Sequence, residues 1–486
     1  MKFHQLAMHK PMFKKSMAAV FSLAVTSARA GESAVADARL QTPEGYVAPT
    51  DPAVVEHLEW FRDQKFGLLM HFGLYSALGI NPSWVLSDAD AETARKGVAW
   101  ATGDDLKRDY IGLYRSFNPV RINAGDWAKT VKDAGCRYLI FTAKHHDGFC
   151  LWDTKTTDYK TTNPECPFSR NPKADVVRHV FDAFRAEGLG ISCYFSKSDW
   201  HHPDYWDNCG LGVKTTLNPT YDWKADTKRW ERFREFTRNQ MLELLTQYGK
   251  VDVLWLDGKQ VCPKYGQDIR MEEIVAEARK TQPWLISADR MAGGPCEDFV
   301  TPQQAVPESP LSVPWESCIT LTTCENWGYS FDDVTYKSVH EIVHTLVDVV
   351  SKGGNLVINV GPRGDGCLPK PVIERLAGVG KWLRANGEAI YATRLAAPYR
   401  TKAWAYTRSK DGKFRYAIRP WREDEARGRK LVVDCGFGGK VKKVVHLATG
   451  REIAAQADGK GDLVLSVPDD VRFDAFAEAF RLEMED

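Results

Sequence analysis

Six short apolar runs alternate with amphipathic stretches along most of this chain, and polar clusters sit at the C-terminal ends of the first five. The runs are Phe66 to Met70, Tyr138 to Thr142, Gly190 to Phe195, Val251 to Leu256, Leu285 to Ala288 and Asn355 to Val360. Helix-like stretches precede all but the first of them: Ala124 to Ala134, Ala174 to Glu187, Thr227 to Tyr248, Met271 to Thr281 and Ser338 to Val350. Repeated strand–helix alternation predicts an α/β fold around a parallel sheet. The clusters are His71, Lys144 to Asp147, Ser196 to His202, Asp257-Gly258 and Asp289-Arg290. In a parallel barrel the C-terminal strand ends share one face, where the loops converge and chemistry is done. A doubly wound sheet is the competing architecture, but no Gly-rich dinucleotide turn follows any run. A (β/α)8-like TIM barrel is therefore expected over residues 54–393.

After Thr393 the pattern shortens to period two. Ala403 to Tyr406, Phe414 to Ile418, Leu431 to Val433 and Leu463 to Leu465 are separated by Gly-containing turns, which predicts a C-terminal antiparallel β-sandwich over residues 394–486. No catalytic cluster falls in it. At the other end, Lys10, Lys14 and Lys15 precede the apolar run Met17 to Val25, and Ala28-Arg29-Ala30 offers small residues for cleavage. Residues 1–30 thus read as a signal peptide and 31–53 as a leader, so the protein is expected to be exported: periplasmic, secreted, or in a lysosome-like compartment of a eukaryote. The apolar run is too short to span a bilayer. A net charge of +1 without a basic block argues against nucleic acid as a partner. The eleven Cys are scattered, without the paired spacings of a zinc site, and no pattern specifies an oligomeric state.

Asp257 is the sharpest chemical candidate. An acid directly after an apolar strand and before Gly lies where backbone can approach a ligand closely, although Asp is also a common helix cap. Glycoside hydrolysis needs one carboxylate at the anomeric carbon and a second carboxyl group to protonate the leaving oxygen. His71, His145 and His146 form a second cluster. Neutral imidazole offers one donor and one acceptor, which suits sugar hydroxyls, while three His on adjacent strand ends can also hold a metal or simply fill core.

Several blocks resemble one family. Lys65-Phe66-Gly67 with His71-Phe72-Gly73-Leu74-Tyr75-Ser76, the run Thr142-Ala143-Lys144-His145-His146-Asp147-Gly148-Phe149 with Leu151-Trp152-Asp153, and Trp255-Leu256-Asp257-Gly258 are similar to motifs of the α-L-fucosidases of glycoside hydrolase family 29. Asn326-Trp327-Gly328-Tyr329, Ser351-Lys352-Gly353-Gly354-Asn355-Leu356 and Asn386-Gly387-Glu388-Ala389-Ile390-Tyr391 extend the resemblance to about Arg394. It implies exo-acting, retaining hydrolysis of terminal α-L-fucose from glycans, with fucosylated oligosaccharides or glycoconjugates as partners, no metal and no cofactor. It places Asp257 as the nucleophile. His71, His145, His146, Tyr194, Trp255 and Arg290 fall at fucose-contacting positions, and Trp84 and Trp327 at the wall beside the C5-methyl group. An α-L-galactoside would need room there for a 6-hydroxyl.

The proton donor is where the pattern departs from the family. Many bacterial relatives read Asp-Phe-x-Thr-Pro-Glu, whereas this chain reads Asp298-Phe299-Val300-Thr301-Pro302-Gln303, and an amide cannot donate and recover a proton. Cys296-Glu297-Asp298 resembles the Cys-Glu-Asp run of animal-type relatives and makes Asp298 the first candidate, Glu297 the second and Glu316 the third. A barrel that keeps the fucose pocket but has impaired proton donation is the alternative. Relatives often carry Glu before Trp84; Ser83 stands there instead.

Overall fold

The computed structural model describes residues 40, 42–89, 91–95, 100, 102–331 and 335–485. The expected signal peptide lies outside these residues, as does most of the leader. Seven parallel strands form one curved sheet: β1 (Phe66–Met70), β2 (Tyr138–Lys144), β3 (Gly190–Ser196), β4 (Val253–Asp257), β5 (Ile286–Ala288), β6 (Glu316–Thr320) and β7 (Asn355–Val360), in the order β5-β4-β3-β2-β1-β7-β6. The two edge strands do not pair with each other. The segment 298–304 runs between them, with Asp298 N–H on Ser287 O at 2.8 Å and parallel bridges from Val300 to Trp315 and from Gln303 to Cys318. It closes the ring as an eighth, irregular stave, so strand order around the barrel follows chain order.

Seven of the helices matter for the site: α1 (Pro52–Gln64), α2 (Ala124–Asp133), α3 (Val176–Ala186), α4 (Thr227–Gln247), α5 (Met271–Arg279), α6 (Val339–Ser351) and α7 (Lys370–Asn386). Their starts are written in side chains. Asp51, Asn123, Asp175, Asp226 and Ser338 each accept a backbone N–H of the first turn, and Ser338 with Glu341 completes a capping box. α1 plugs the foot of the barrel: Val54, Leu58 and Phe61 pack with Leu69, Ile140, Val253, Ile286, Phe299 and Val357, the inward residues of the staves. Strand alternation sends Leu68 and Met70 the other way, into the layer shared with the helices. The core is therefore sealed below, and only the C-terminal strand ends open to solvent.

The strands that follow are antiparallel. Six pair in the order β13 (Arg451–Glu452), β12 (Val441–His446), β16 (Ala477–Met484), β10 (Phe414–Pro420), β9 (Ala405–Arg408) and β8 (Arg394–Arg400). Three more form a second sheet in the order β11 (Lys430–Val433), β15 (Leu463–Ser466), β14 (Ala454–Ala457). Tyr406, Phe480 and Leu482 of the larger sheet meet Leu431, Val433, Leu463 and Leu465 of the smaller one in a shared core, as in a β-sandwich. α6 and α7 fasten to it through His340 to Trp421 O at 2.6 Å, His344 to Phe476 O at 3.0 Å and Trp382 to Ala477 O at 2.9 Å. No helix among the described residues is long and apolar enough to cross a membrane.

The loop carrying Trp327 depends on a glycine. A Cβ on Gly361, just past β7, would stand 2.2 Å from Tyr329 N and 2.3 Å from the Gly328 carbonyl carbon. Backbone cannot yield as a side-chain tip does, so Gly361→Ala should cost about 1–3 kcal/mol, read as a lower urea midpoint with an unchanged denaturant slope.

Candidate active site

The C-terminal end of β4 delivers Asp257 to the open face of the barrel, with a quarter of its side chain exposed. Both carboxylate oxygens are held. Oδ1 accepts the N–H of Gly258 at 2.7 Å and the Arg290 Nε–H at 3.1 Å. Oδ2 accepts the Tyr194 hydroxyl at 2.6 Å, with His146 Nε2 at 3.5 Å. Gly258 turns the chain away at φ +85°, a conformation in which a side chain would be strained. Burial pushes this carboxyl upward, but Arg290, His146 and Tyr194 outweigh it and hold it well below the usual carboxylate range. Asp257 is an anion at any working pH, poised beside open space. Arg290 reaches it from a left-handed backbone, φ +58°, which costs a non-glycine residue about 1 kcal/mol, and its Nη1 also donates to Thr301 O at 3.2 Å.

Beside the carboxylate runs an arc of rings. Trp327 lies 5.6 Å from His71, His71 5.4 Å from His145, His145 4.6 Å from His146, and His146 6.1 Å from Trp84. Trp84 and Trp327 are partly exposed and stand at the two ends; the three His are buried. Tyr194 lies behind, stacked on His145 and on Trp255. The eight residues singled out for sugar contact, Arg290 included, are thus brought together around Asp257.

Hydrogen-bond partners fix what each ring offers. Asn359 Nδ2 donates to Trp327 O at 2.7 Å, so its Oδ1 is the atom 2.6 Å from His71 Nδ1. A carbonyl oxygen only accepts, so His71 carries its proton on Nδ1 and keeps Nε2 as an acceptor. Ser83 Oγ already accepts from Asp147 N–H at 3.1 Å and has its own proton to give His145 Nδ1 at 2.7 Å, which leaves the His145 proton on Nε2 as a donor. Asp257 Oδ2, 3.5 Å from His146 Nε2, only accepts, so that nitrogen carries the proton and Nδ1 accepts from Ser198 at 2.7 Å. Burial pushes His71 down to about 4 and His145 well below the ordinary imidazole range; both rings are neutral in use. Sequence reasoning missed Asn359 and Ser198 and read Ser83 only as a departure, because a partner 288 residues from His71 carries no local pattern.

His145, His146 and Asp257 each present one metal-type atom, all within 4.8 Å of one another. They could hold a divalent ion, but the Arg290 charge sits on the same carboxylate, and the hydrogen bonds from Tyr194 and Gly258 compete for its oxygens.

The candidate proton donors lie elsewhere. Asp298 begins the eighth stave, and because Phe299 points into the barrel core, Asp298 points out. Its Oδ2 accepts Ser287 N–H at 2.7 Å and Arg279 of α5 at 2.9 Å. Glu297 spends both oxygens on backbone, Met291 N–H at 2.6 Å and Gly293 N–H at 2.7 Å. Both are 1% exposed. Strand alternation turns the Asp298 side chain away from the barrel core, and backbone N–H groups clamp Glu297. Glu316 points into the barrel beneath the pocket, bonded to Tyr138 and Trp255. Gln303 shares the face of Phe299 and Thr301 by strand alternation and is exposed at the rim. Lys197, fully buried, pairs with Asp289 at 2.5 Å behind β4.

The His71 assignment has a stability consequence. Its folded pKa, about 4, lies below the unfolded value of about 6.5, so between those values the unfolded chain binds more protons and stability falls as pH drops. The loss is about 3 kcal/mol for this ring, and His145 adds to it in the same sense. His71→Gln should flatten that part of the curve of urea midpoint against pH. Nitrogen-15 spectra should show His71 protonated on Nδ1 and His145 on Nε2; the opposite tautomers would break the partner argument.

Comparison with known proteins places the chain in a family. The sequence profile described as alpha-L-fucosidase matches residues 33–388. A plasma α-L-fucosidase of Rattus norvegicus is 28% identical over 350 residues, covering 69% of this chain and 70% of the relative. The α-L-fucosidase isoenzyme 1 of Paenibacillus thiaminolyticus superposes with a TM-score of 0.75 at 33% identity, over 89% of this chain and 100% of that one. A family 29 α-L-fucosidase of Bacteroides thetaiotaomicron, captured as a trapped covalent intermediate with 2-fluoro-fucosyl fluoride, superposes at 0.72 with 26% identity, over 93% of this chain and 100% of that one. With its barrel, its C-terminal sandwich and a family match over most of its length, this chain belongs to the α-L-fucosidases, glycoside hydrolases of family 29.

Proposed function

We propose that this protein is an exo-acting, retaining α-L-fucosidase in which Asp257 attacks the anomeric carbon of a terminal α-L-fucosyl residue. The observation that carries the reading is a carboxylate held by Arg290, Tyr194 and Gly258 at the C-terminal strand ends, with its pKa well below the ordinary range. Attack gives a β-fucosyl ester on Asp257, and water then releases fucose with its original configuration. His71 Nε2 accepts from a sugar hydroxyl while His145 Nε2–H donates to one, so the pair reads hydroxyl position as well as presence. Trp84 and Trp327 flank the pocket with apolar ring, which suits the 5-methyl group of fucose and disfavours the 6-hydroxyl of L-galactose. Terminal fucose of oligosaccharides or glycoconjugates is the substrate class, and the basic and apolar segments of residues 1–30 support export.

A second reading follows from the placement of Gln303, Asp298 and Glu297. The rim position holds an amide, and both neighbouring carboxyls are bonded away from the pocket. On this reading the pocket binds fucose and forms the ester, but proton transfer is weak and activated leaving groups are favoured.

Kinetics on an aryl fucoside and on a natural fucosylated glycan separate the two. Asp257→Ala should lose about 10³-fold or more in kcat on both, and azide should restore turnover with β-fucosyl azide as product. Normal turnover without this carboxylate would end the proposal. Gln303→Glu should raise kcat/KM on the natural glycan by about 10²-fold and leave the aryl substrate nearly unchanged if donation is impaired. If Asp298 or Glu297 is the donor, Asp298→Asn or Glu297→Gln instead abolishes glycan cleavage, and azide then yields the α-fucosyl azide.

A further inference from the structure

We propose that Glu316 is a positioning residue for the nucleophile, acting through the Trp255 indole on the two side chains that hold Asp257. The inference rests on Asp257 being the attacking group and adds how its geometry is set from below.

Glu316 is the first residue of β6, and its side chain is fully buried inside the barrel. One oxygen accepts the Trp255 Nε1–H at 3.0 Å and the other accepts the Tyr138 hydroxyl. The staves that carry these donors, β4 and β2, are not neighbours of β6 or of each other, so the carboxylate ties three sides of the ring together. Trp255 stands two residues before Asp257 on β4. Its indole stacks on the Tyr194 ring at 5.2 Å and 18°, and the Arg290 guanidinium lies 5.2 Å from its centroid. Tyr194 and Arg290 are the groups that donate to the two oxygens of Asp257. One plate therefore supports both arms of the nucleophile's seat.

An indole has a single hydrogen-bonding atom, a donor. Stacking fixes the plane of the plate but lets it turn within that plane, and the Nε1–H bond removes this freedom. Two donors converging on one group call for a pure acceptor, which an ionised carboxylate is and an amide is only in part. Burial pushes the Glu316 carboxyl up to about 7, with the Tyr138 and Trp255 bonds opposing that rise. A titratable carboxyl is thus kept inside the barrel core at the cost of its desolvation. A proton-donor role does not account for it, since both oxygens are spent on partners inside the core.

The test is the rate at which 2-fluoro-fucosyl fluoride labels Asp257, followed by mass spectrometry with peptide mapping, alongside the thermal midpoint. Glu316→Met keeps the length of the side chain and removes both acceptors. Labelling at Asp257 should slow by about 10- to 100-fold, as expected for a reacting group displaced by a fraction of an ångström. Glu316→Gln keeps an acceptor for Trp255 and should label within about threefold of the wild type, even where its midpoint falls as far as that of the Met variant. That split separates positioning from general stability. Wild-type labelling in Glu316→Met, or equal slowing in the Met and Gln variants, would overturn the proposal. So would an effect confined to substrates with poor leaving groups, which would make Glu316 the proton donor. Should Glu316→Met not fold, Trp255→Phe cuts the same link from its other end and must also slow labelling; a wild-type rate there is equally fatal. Label on a residue other than Asp257 in the wild-type enzyme would instead remove the nucleophile assignment.

Discussion

A carboxylate that must stay ionised at the mouth of an apolar barrel needs compensation worth several kcal/mol, and the rest of the site is arranged around supplying it. Arg290 gives the charge, Tyr194 and Gly258 give the remaining hydrogen bonds, and each arrives from a different stave. Arg290 can reach Asp257 only because its backbone adopts a left-handed turn at the end of β5. It is steadied in turn by the carbonyl of Thr301 on the closing segment. Barrel closure and nucleophile activation are therefore one structural problem: loosen the segment 298–304 and Arg290 loses its second anchor.

The neighbouring histidines follow the opposite rule. Burial is the main cause that keeps His71 and His145 neutral, outweighing the pull of the Asp257 charge. Neutral imidazole is polar in a definite sense only if something outside the pocket decides which nitrogen carries the proton. Asn359 decides it for His71, with its own amide oriented by the Trp327 carbonyl, and Ser83 decides it for His145. The pocket thus presents a fixed acceptor beside a fixed donor without moving any ligand-facing atom. It also follows that Ser83 has a task of its own here: a carboxylate at that place would accept rather than donate at Nδ1 and would reverse the polarity of His145.

The fold was legible wherever a buried stave is built of apolar residues. β1 to β4 and β7 read as near-continuous apolar runs because helices cover their outer faces and the barrel core their inner ones. β6 and the closing segment were invisible in the sequence for a related reason. Glu316, Ser317 and Thr320 in one, and Thr301, Pro302 and Gln303 in the other, are the polar and ring-closed residues that usually mark a loop. They pair as strands because each has a partner on both sides, the closing segment between β5 and β6, and β6 between that segment and β7. Asp257 and the His cluster were legible as neighbours at one barrel face from residue type and from position after a strand. Asp298 misled because adjacency in sequence is not adjacency in space: in an extended chain Phe299 and Asp298 face opposite ways, and the core claims Phe299.

The two halves of a double displacement ask different things of the group at the rim. In the first, a good leaving group departs without a proton, and an amide N–H can still steady the departing oxygen. In the second, water must lose a proton as it attacks the ester on Asp257, whatever the original leaving group was, and an amide can orient that water without taking its proton. An amide at this place thus weighs on ester breakdown for every substrate and on ester formation only for poor leaving groups. The seat of Asp257 offsets part of that asymmetry. Arg290 and Tyr194 stabilise the free carboxylate before attack and after release alike, so they favour departure of fucose from Asp257 even where the water is only half-activated.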